Sequence, residues 1–454
     1  MPVRREAAVP PPGTAGSAWR GFEASGVSVE TPPAGPSRAR ILLLHYTGPP
    51  VVGSVESVLA GHARLLAGRG FEVHVLTGRG GAVGDGVHVH RLTALDSRHR
   101  RVLATSGVLE SGRVPAEFVI LTAEILAGLR RALEGIDVCI VHNGLTLHKN
   151  LALTAALHEL ARRGTGPRLV AWCRDLAWTN PQYRPALHGG LLLGSAAHAA
   201  PSCHLRHGVA PSAAGARRRA APLAGGDPVI PNGVDPAAVL RLTPTGRQLA
   251  TDLRLWDHQL VLLLPVRITR RKQIEFALRV VAEIVRDVAV RLLVTGPLGP
   301  HNPHNRQYLE ELRVRRRTLD LEEQVVFCPQ LRAPSGRPLR LTDAAMTDLY
   351  LLADALLLPS RDEGFGLPLL AAGVARLPSF TTDIPSLREI GDDAIETFPI
   401  GDAPEAVASR LILTLTQDRG YHLRRRVLSA YTWEVIMRDR IVPLLDRLVA
   451  VGPR

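Results

Sequence analysis

Apolar residues along the chain fall into two patterns, short unbroken runs and positions spaced three and four apart. Ile41-Leu42-Leu43-Leu44 is a run of the first kind. A Gly/Pro turn at 48–53 follows it, then Val55, Val58, Leu59, Leu65 and Leu66 at helical spacing, then a second run over 71–76. Short bounded runs predict buried strands, and the 3.6-residue period predicts helices laid against them. Runs at 137–141 and 168–172 flank a further helical stretch at about 147–162. From 260 the alternation resumes: strand 260–266, helix near 272–286, strand 290–295, helix near 304–318, strand 324–327, helix 343–352, strand 354–358. The remainder reads as mostly helical, and Trp433, Val435, Ile436, Ile441, Leu444, Leu445 and Leu448 mark an amphipathic last helix. Strand and helix in alternation predict an α/β fold of two doubly wound units with parallel sheets.

Two stretches break the pattern. Residues 1–38, rich in Pro, Gly, Ala and Ser, read as a disordered tail, and 188–228 shows neither period and reads as an irregular linker or damaged sequence. The expected domains are therefore 39–228 and 229–431, with 432–454 as a helix packing back on the first. A length of 454 residues suits that division.

Charge narrows the function little. The net charge is +13, but of 55 Lys and Arg only Lys149 and Lys272 are lysines, and the arginines are scattered. Aromatic residues make up 4%, so no basic stripe with interleaved rings is available, and nucleic acid is not an expected partner. Cys139, Cys173, Cys203 and Cys328 lie far apart without a C-x-x-C pair, which argues against a structural zinc site or a disulfide framework and for a reducing cytoplasm. No apolar run approaches the ~18 residues of a membrane span. The start of the chain lacks the apolar core of a secretory signal. The expectation is a cytoplasmic protein with at most peripheral contact at the inner membrane face.

In open α/β sheets, ligands bind beyond the carboxyl ends of strands, so loops there carry the candidate chemistry. The loop Gly48-Pro49-Pro50-Val51-Val52-Gly53-Ser54-Val55-Glu56 reads either as a site of close approach to phosphate or sugar at Gly53 or as an ordinary turn. Pro265-Val266-Arg267-Ile268-Thr269-Arg270-Arg271-Lys272 is a cationic loop suited to a diphosphate, Arg as a planar fork and Lys as a point charge. Ser360-Arg361-Asp362-Glu363-Gly364-Phe365-Gly366-Leu367-Pro368 opens a helix, with glycines for backbone approach and Glu363 to accept hydrogen bonds from vicinal hydroxyls. Together the last two describe a pocket for a diphosphate bonded to a polyol.

These motifs resemble the retaining glycosyltransferases of the GT-B fold, family 4, also called glycosyl transferases group 1. The resemblance runs from about 40 to 448 and adds Ile140-Val141-His142-Asn143 and Pro231-Asn232-Gly233-Val234-Asp235 in the expected order. It implies two Rossmann-like domains facing a cleft and transfer of a hexose from a UDP-, GDP- or ADP-hexose with retention of configuration. It implies no metal or other cofactor, and the acceptor is a small molecule, a glycan or a lipid-linked sugar. It assigns catalytic roles to Glu363 and His142. Donor binding falls to Arg267, Lys272, Gly364, Phe365, Gly366, Leu367 and position 371, and the acceptor side to Gly53, Glu56, Arg174 and Asp175. Two residues depart from the family pattern: Ala371 stands where relatives carry a ribose-binding glutamate, and Arg174 precedes Asp175 where relatives often have histidine. The alternative reading is a catalytically impaired nucleotide-sugar-binding or interaction protein derived from such an enzyme.

Overall fold

The computed structural model describes residues 38–164, 166–174, 229–299, 302–333 and 336–450. The expectations for the tail over 1–37, for 188–228 and for Asp175 lie outside the described residues. The described residues divide into two compact units, one made of 38–174, 229–234 and 431–450 and the other of 235–430.

In the N-terminal unit β1 (Arg38–Thr47), α1 (Ser54–Ala67), β2 (Phe71–Arg79) and β3 (Val87–Arg91) are followed by α2 (Arg100–Glu110) and α3 (Ala116–Ala132). Then come β4 (Val138–His142), α4 (Leu151–Arg163) and β5 (Arg168–Trp172). The sheet order is β3-β2-β1-β4-β5, and every pairing is parallel. Strand alternation sorts the apolar runs onto two faces. Ile41, Leu43, Val73, Val75 and Ile140 meet Leu59 and Leu66 of α1 on one side, while Leu42, Leu44, Cys139 and Val141 meet Leu121, Ile125, Leu153 and Leu157 on the other. The strand β3 and the strands over 379–382 and 396–398 of the second unit were not legible as apolar runs.

The second unit contains α5 (Pro236–Val239), α6 (Pro244–Asp252), β6 (Leu260–Leu264), α7 (Ile274–Ile284), β7 (Val290–Val294), α8 (His304–Thr318) and β8 (Val325–Phe327). It continues with α9 (Asp343–Leu352), β9 (Ala355–Leu358), α10 (Leu367–Val374), β10 (Ser379–Thr382), α11 (Pro385–Gly391) and β11 (Glu396–Phe398). Two helices, α12 (Pro404–Gln417) and α13 (Arg419–Ala430), complete it. Its sheet order is β11-β10-β9-β6-β7-β8, all parallel, so the chain reverses direction of winding between β6 and β9. That juncture is pinned from below. The buried Asp354 carboxylate, just before β9, accepts from Val261 N of β6 at 2.8 Å and from Arg425 Nη2 of α13 at 2.8 Å.

Residues 431–450 return to the N-terminal unit. Thr432 bridges Val234 and caps α14 (Trp433–Ile436) by accepting from Val435 N at 3.3 Å. A π turn over Met437–Ile441 leads into α15 (Val442–Ala450), and Ile436, Met437, Ile441, Leu444 and Leu445 are buried with the β1 and α1 apolar face. Among the described residues no helix is long and apolar enough to cross a membrane.

Candidate functional site

In each unit the strand order reverses between two neighbouring strands, β1 and β4 in the first and β6 and β9 in the second. Loops leaving the carboxyl ends of such a pair diverge to opposite faces and open a crevice. The loops predicted from sequence to carry chemistry leave these four strand ends.

In the second unit the loop after β6 ends in a short turn over Arg270–Lys272, and that after β9 runs from Pro359 to Gly366. Lys272 and Glu363, each with 7% of its side chain exposed, form an ion pair between Nζ and Oε1. Ser360 Oγ donates to the same Oε1 at 2.7 Å. Burial lowers the lysine's pKa, and its bond to Glu363 opposes that shift. Backbone and neighbours lock the loops together. Arg361 N donates to Arg271 O at 2.8 Å, and Arg271 Nη1 to Asp362 O at 2.8 Å. Gln273, in the left-handed region at φ 47°, orients its amide to donate to Pro359 O at 2.8 Å and accept from Arg361 Nε at 2.5 Å. Thr382 of β10 donates through its hydroxyl to Ser360 O.

The helix α10 begins later than the sequence suggested. Gly366 is its N-cap, at φ 87°, and a Cβ there would lie 2.7 Å from Leu387 Cδ2, so both conformation and space require glycine. Glu363 therefore belongs to the loop, while Ala371 lies on the helix, so the two positions share no helix face. Gly364 has open space around it, Phe365 and Leu367 are 59% and 68% exposed, and Ala371 is exposed. Arg267 is exposed and makes no ion pair among the described residues, so it shares the strand end with Lys272 without touching the Lys272–Glu363 pair.

In the first unit Gly53 caps α1 with an extended φ of −173°, which any residue adopts. A Cβ there would meet Glu56 Oε2 at 2.1 Å, the end of a side chain that can move aside. Glu56 accepts from Thr47 Oγ1 at 2.5 Å across the loop from β1. Asn143, at φ 56° after β4, donates from N to Trp172 O at 3.0 Å and accepts from Arg174 N at 2.8 Å. Arg174 is thereby tied through its backbone to the turn after β4. His45 donates from Nδ1 to His142 O at 2.8 Å; burial lowers its pKa, while that carbonyl and Glu56 push it back up.

His142 itself is fully buried, its ring centroid 5.5 Å from that of His62 and 5.9 Å from that of Trp172. Both its nitrogens lack a hydrogen-bond partner among the described residues. Burial first, then the nearby His62, His45 and Arg174, hold its pKa well below the ordinary value. The side chain is a neutral, enclosed ring beneath the strand ends rather than an exposed group at them. Sequence reasoning passed over His45, Thr47, Gln273 and Thr382. Thr47 was findable as the last polar residue of the first strand, whereas Gln273 carried no signal.

Residues 259–417, within the second unit, match the family model "Glycosyl transferases group 1". The serotype-specific mannosyltransferase WbdA of Escherichia coli is 32% identical over 113 residues, covering 25% of this chain and 14% of that protein. The D-inositol 3-phosphate glycosyltransferase of Kineococcus radiotolerans is 31% identical over 185 residues, 38% of each chain. This chain thus spans well under two thirds of the length of these relatives. Among solved structures, sucrose-phosphate synthase of Thermosynechococcus elongatus aligns over 91% of this chain and 100% of its own at 18% identity and a TM-score of 0.37. Anabaena HepE in complex with UDP and glucose aligns over 91% and 99% at 17% identity and a TM-score of 0.32. The fold assignment rests on the two parallel sheets themselves.

Proposed function

We propose that the chain is a retaining hexosyltransferase that takes a UDP-, GDP- or ADP-hexose as donor, with the donor on the β6 and β9 loops of the second unit. The observation that carries this reading is the buried Lys272–Glu363 pair at the reversal of a six-stranded parallel sheet, inside the segment that matches the glycosyltransferase family. Lys272 and Arg267 supply positive charge for the diphosphate, and stabilise it most as the bond to the sugar breaks and charge builds on the leaving phosphate. Glu363, already an acceptor for Ser360 and Lys272, has lone pairs for sugar hydroxyls. The glycines at 364 and 366 leave the backbone N–H groups at the start of α10 open to the donor. No metal is required where two cations meet the diphosphate. Glu56, His45 and Arg174 line the acceptor side in the first unit, for a small-molecule, glycan or lipid-linked acceptor, the last of which would involve peripheral membrane contact.

A thermal-shift screen with UDP-glucose, GDP-mannose and ADP-glucose tests the reading. A donor at 100 times its dissociation constant adds ~2.7 kcal/mol to stability, and the same donor should be turned over when acceptors are supplied or, slowly, by water. No shift with any donor would refute the proposal; a shift without turnover would replace it by nucleotide-sugar binding alone.

A further inference from the structure

Gln273 occupies a position that its residue type does not favour. It directly follows Lys272 at φ 47° and ψ 45°, in the left-handed region where glycine or asparagine is at ease and a long side chain is not. Among the described residues seven non-glycine residues have positive φ, and of these Asn143 and Gln273 alone are buried. The position is also the N-cap of α7. A Ser, Thr, Asp or Asn there would accept from the first helical N–H groups, yet the Gln273 side chain caps nothing. Neither turn nor helix gives a reason for glutamine.

The reason lies in the loop after β9. The Gln273 amide faces Pro359 O on one side and Arg361 on the other, and one orientation satisfies both. Its nitrogen then donates to Pro359 O at 2.8 Å, and its oxygen accepts from Arg361 Nε at 2.5 Å and Nη2 at 3.1 Å. These contacts flank Ser360, which is fully buried. Thr382 donates to Ser360 O, and Arg361 N donates to Arg271 O at 2.8 Å. Held in this way, Ser360 directs its hydroxyl to Glu363 Oε1 at 2.7 Å. One residue thus acts on both ends of the ion pair, on Lys272 through the peptide bond before it and on Glu363 through Ser360.

We propose that Gln273 is a positioning residue for donor recognition, clasping the β9 loop to the β6 loop and setting the spacing of the Lys272 ammonium and the Glu363 carboxylate. The inference rests on the donor reading above. A ligand that meets the cation with a phosphate and the carboxylate with hydroxyls needs that spacing fixed before it arrives, and fixing it in the free chain raises affinity by removing a cost of ordering. The strained backbone at 273 is kept because the amide it aims reaches across to the second loop.

The test uses the full-length chain and Gln273→Gly, because glycine accepts the left-handed backbone and only the clasp is removed. Without donor, hydrogen exchange at the Arg361 amide should be at least tenfold faster in the variant, with the amides of β6 and β9 unchanged. Adding Arg361→Ala to the glycine variant should loosen the loop no further, since both changes remove one contact. A donor that shifts the parent chain in the thermal screen should bind the glycine variant at least tenfold more weakly by calorimetry. A residue serving folding alone would lower the urea midpoint and leave that affinity as it was. Unchanged exchange at Arg361, or a loosened loop with donor affinity intact, would overturn the proposal. If the parent binds none of the donors, the nucleotide-sugar reading falls, while exchange at Arg361 still decides the clasp.

Discussion

Both units draw polar side chains out of water near the carboxyl ends of their strands, and they treat them differently. In the second unit Lys272 and Glu363 neutralise each other, and Ser360, Gln273 and Thr382 satisfy the loops around them. In the first unit His62 and His142 sink four ring nitrogens, and Trp172 its Nε1, into the core without a hydrogen-bond partner among the described residues. A buried charge is tolerated when it is paired, whereas a buried imidazole is tolerated by staying neutral. The second unit therefore holds a fixed, mutually neutralised pair of charges, and the first holds groups whose cost depends on pH.

The sharpest way to break that contrast is to remove one partner of the ion pair. Lys272→Ala should cost ~3–5 kcal/mol of stability, because it leaves Glu363 buried with only Ser360 for company. The double variant Lys272→Met, Glu363→Leu should recover most of that loss, since a well-packed apolar pair often equals a buried ion pair in stability. Donor binding should be lost in both. Urea unfolding of the full chain separates the outcomes, and a single variant as stable as the parent would show the pair to be better solvated than its burial indicates.

Acid should act on the other unit. Burial pushes the pKa of His62 down from 6.5 to about 3, and that of His142 moves in the same direction. In the unfolded chain both titrate near ~6.5, so stability is complete above about that pH. It drains as the pH falls towards the folded value of His62, at roughly 1 kcal/mol per pH unit for each histidine. Between pH 6.5 and 4.5 the N-terminal unit should thus lose roughly 2–4 kcal/mol. His62→Gln should flatten the dependence. The ring of Trp172 lies 4.7 Å from that of His62, so tryptophan fluorescence during denaturation at a series of pH values reads it directly, and a midpoint independent of pH would mean that these rings are paired.

The two units were also unequally legible in the sequence. Strands β6 and β9, LVLLL and ALLL, are buried along their whole length and show as apolar runs. Strand β10, SFTT, is equally buried, but its Ser and Thr hydroxyls are satisfied by backbone carbonyls, so it looks polar in sequence. Strand β3 is an edge strand with exposed histidines, and no apolar periodicity marks it. Strand-end logic put Lys272 and Glu363 in neighbouring loops, but did not give the ion pair between them. Nor did it give the burial of His142, because a histidine ending a strand looks the same whether its ring faces solvent or core. Glu363 was assigned to a helix because the Gly364-Phe365-Gly366 segment runs straight into α10, and only the left-handed Gly366 shows where the helix begins.

A smaller effect is expected at Gly53. Alanine there meets no backbone barrier, but its Cβ displaces the Glu56 carboxylate and breaks the bond from Thr47. The cost should be about 1 kcal/mol, the net worth of an ordinary hydrogen bond, because Glu56 can swing towards water. Glu56→Gln alone should cost no more. If Gly53→Ala instead cost several kcal/mol, the loop after β1 would be as rigid as the one after β9, and the contrast between the units would narrow.

The change with the least expected effect on folding is Ala371→Glu. Position 371 is exposed on α10, with Leu367, Leu370 and Val374 also exposed at helical spacing beside it, so a carboxylate there displaces nothing and stability should move by no more than about 0.5 kcal/mol. Its effect on donor binding is a separate matter. Glu363 lies in the loop before α10, so the two carboxylates would share no helix face, and the case for position 371 is the resemblance to relatives that carry glutamate there. If ribose recognition operates there, the new carboxylate gains charged hydrogen bonds and the donor that shifts the parent chain should bind at least tenfold more tightly, in keeping with ~1.5–3 kcal/mol for such a bond. Calorimetry on parent and variant with the same donor decides it. Equal affinities would restrict donor recognition in the second unit to the satisfied cluster around Lys272 and Glu363, and would leave the exposed apolar face of α10 outside the donor site.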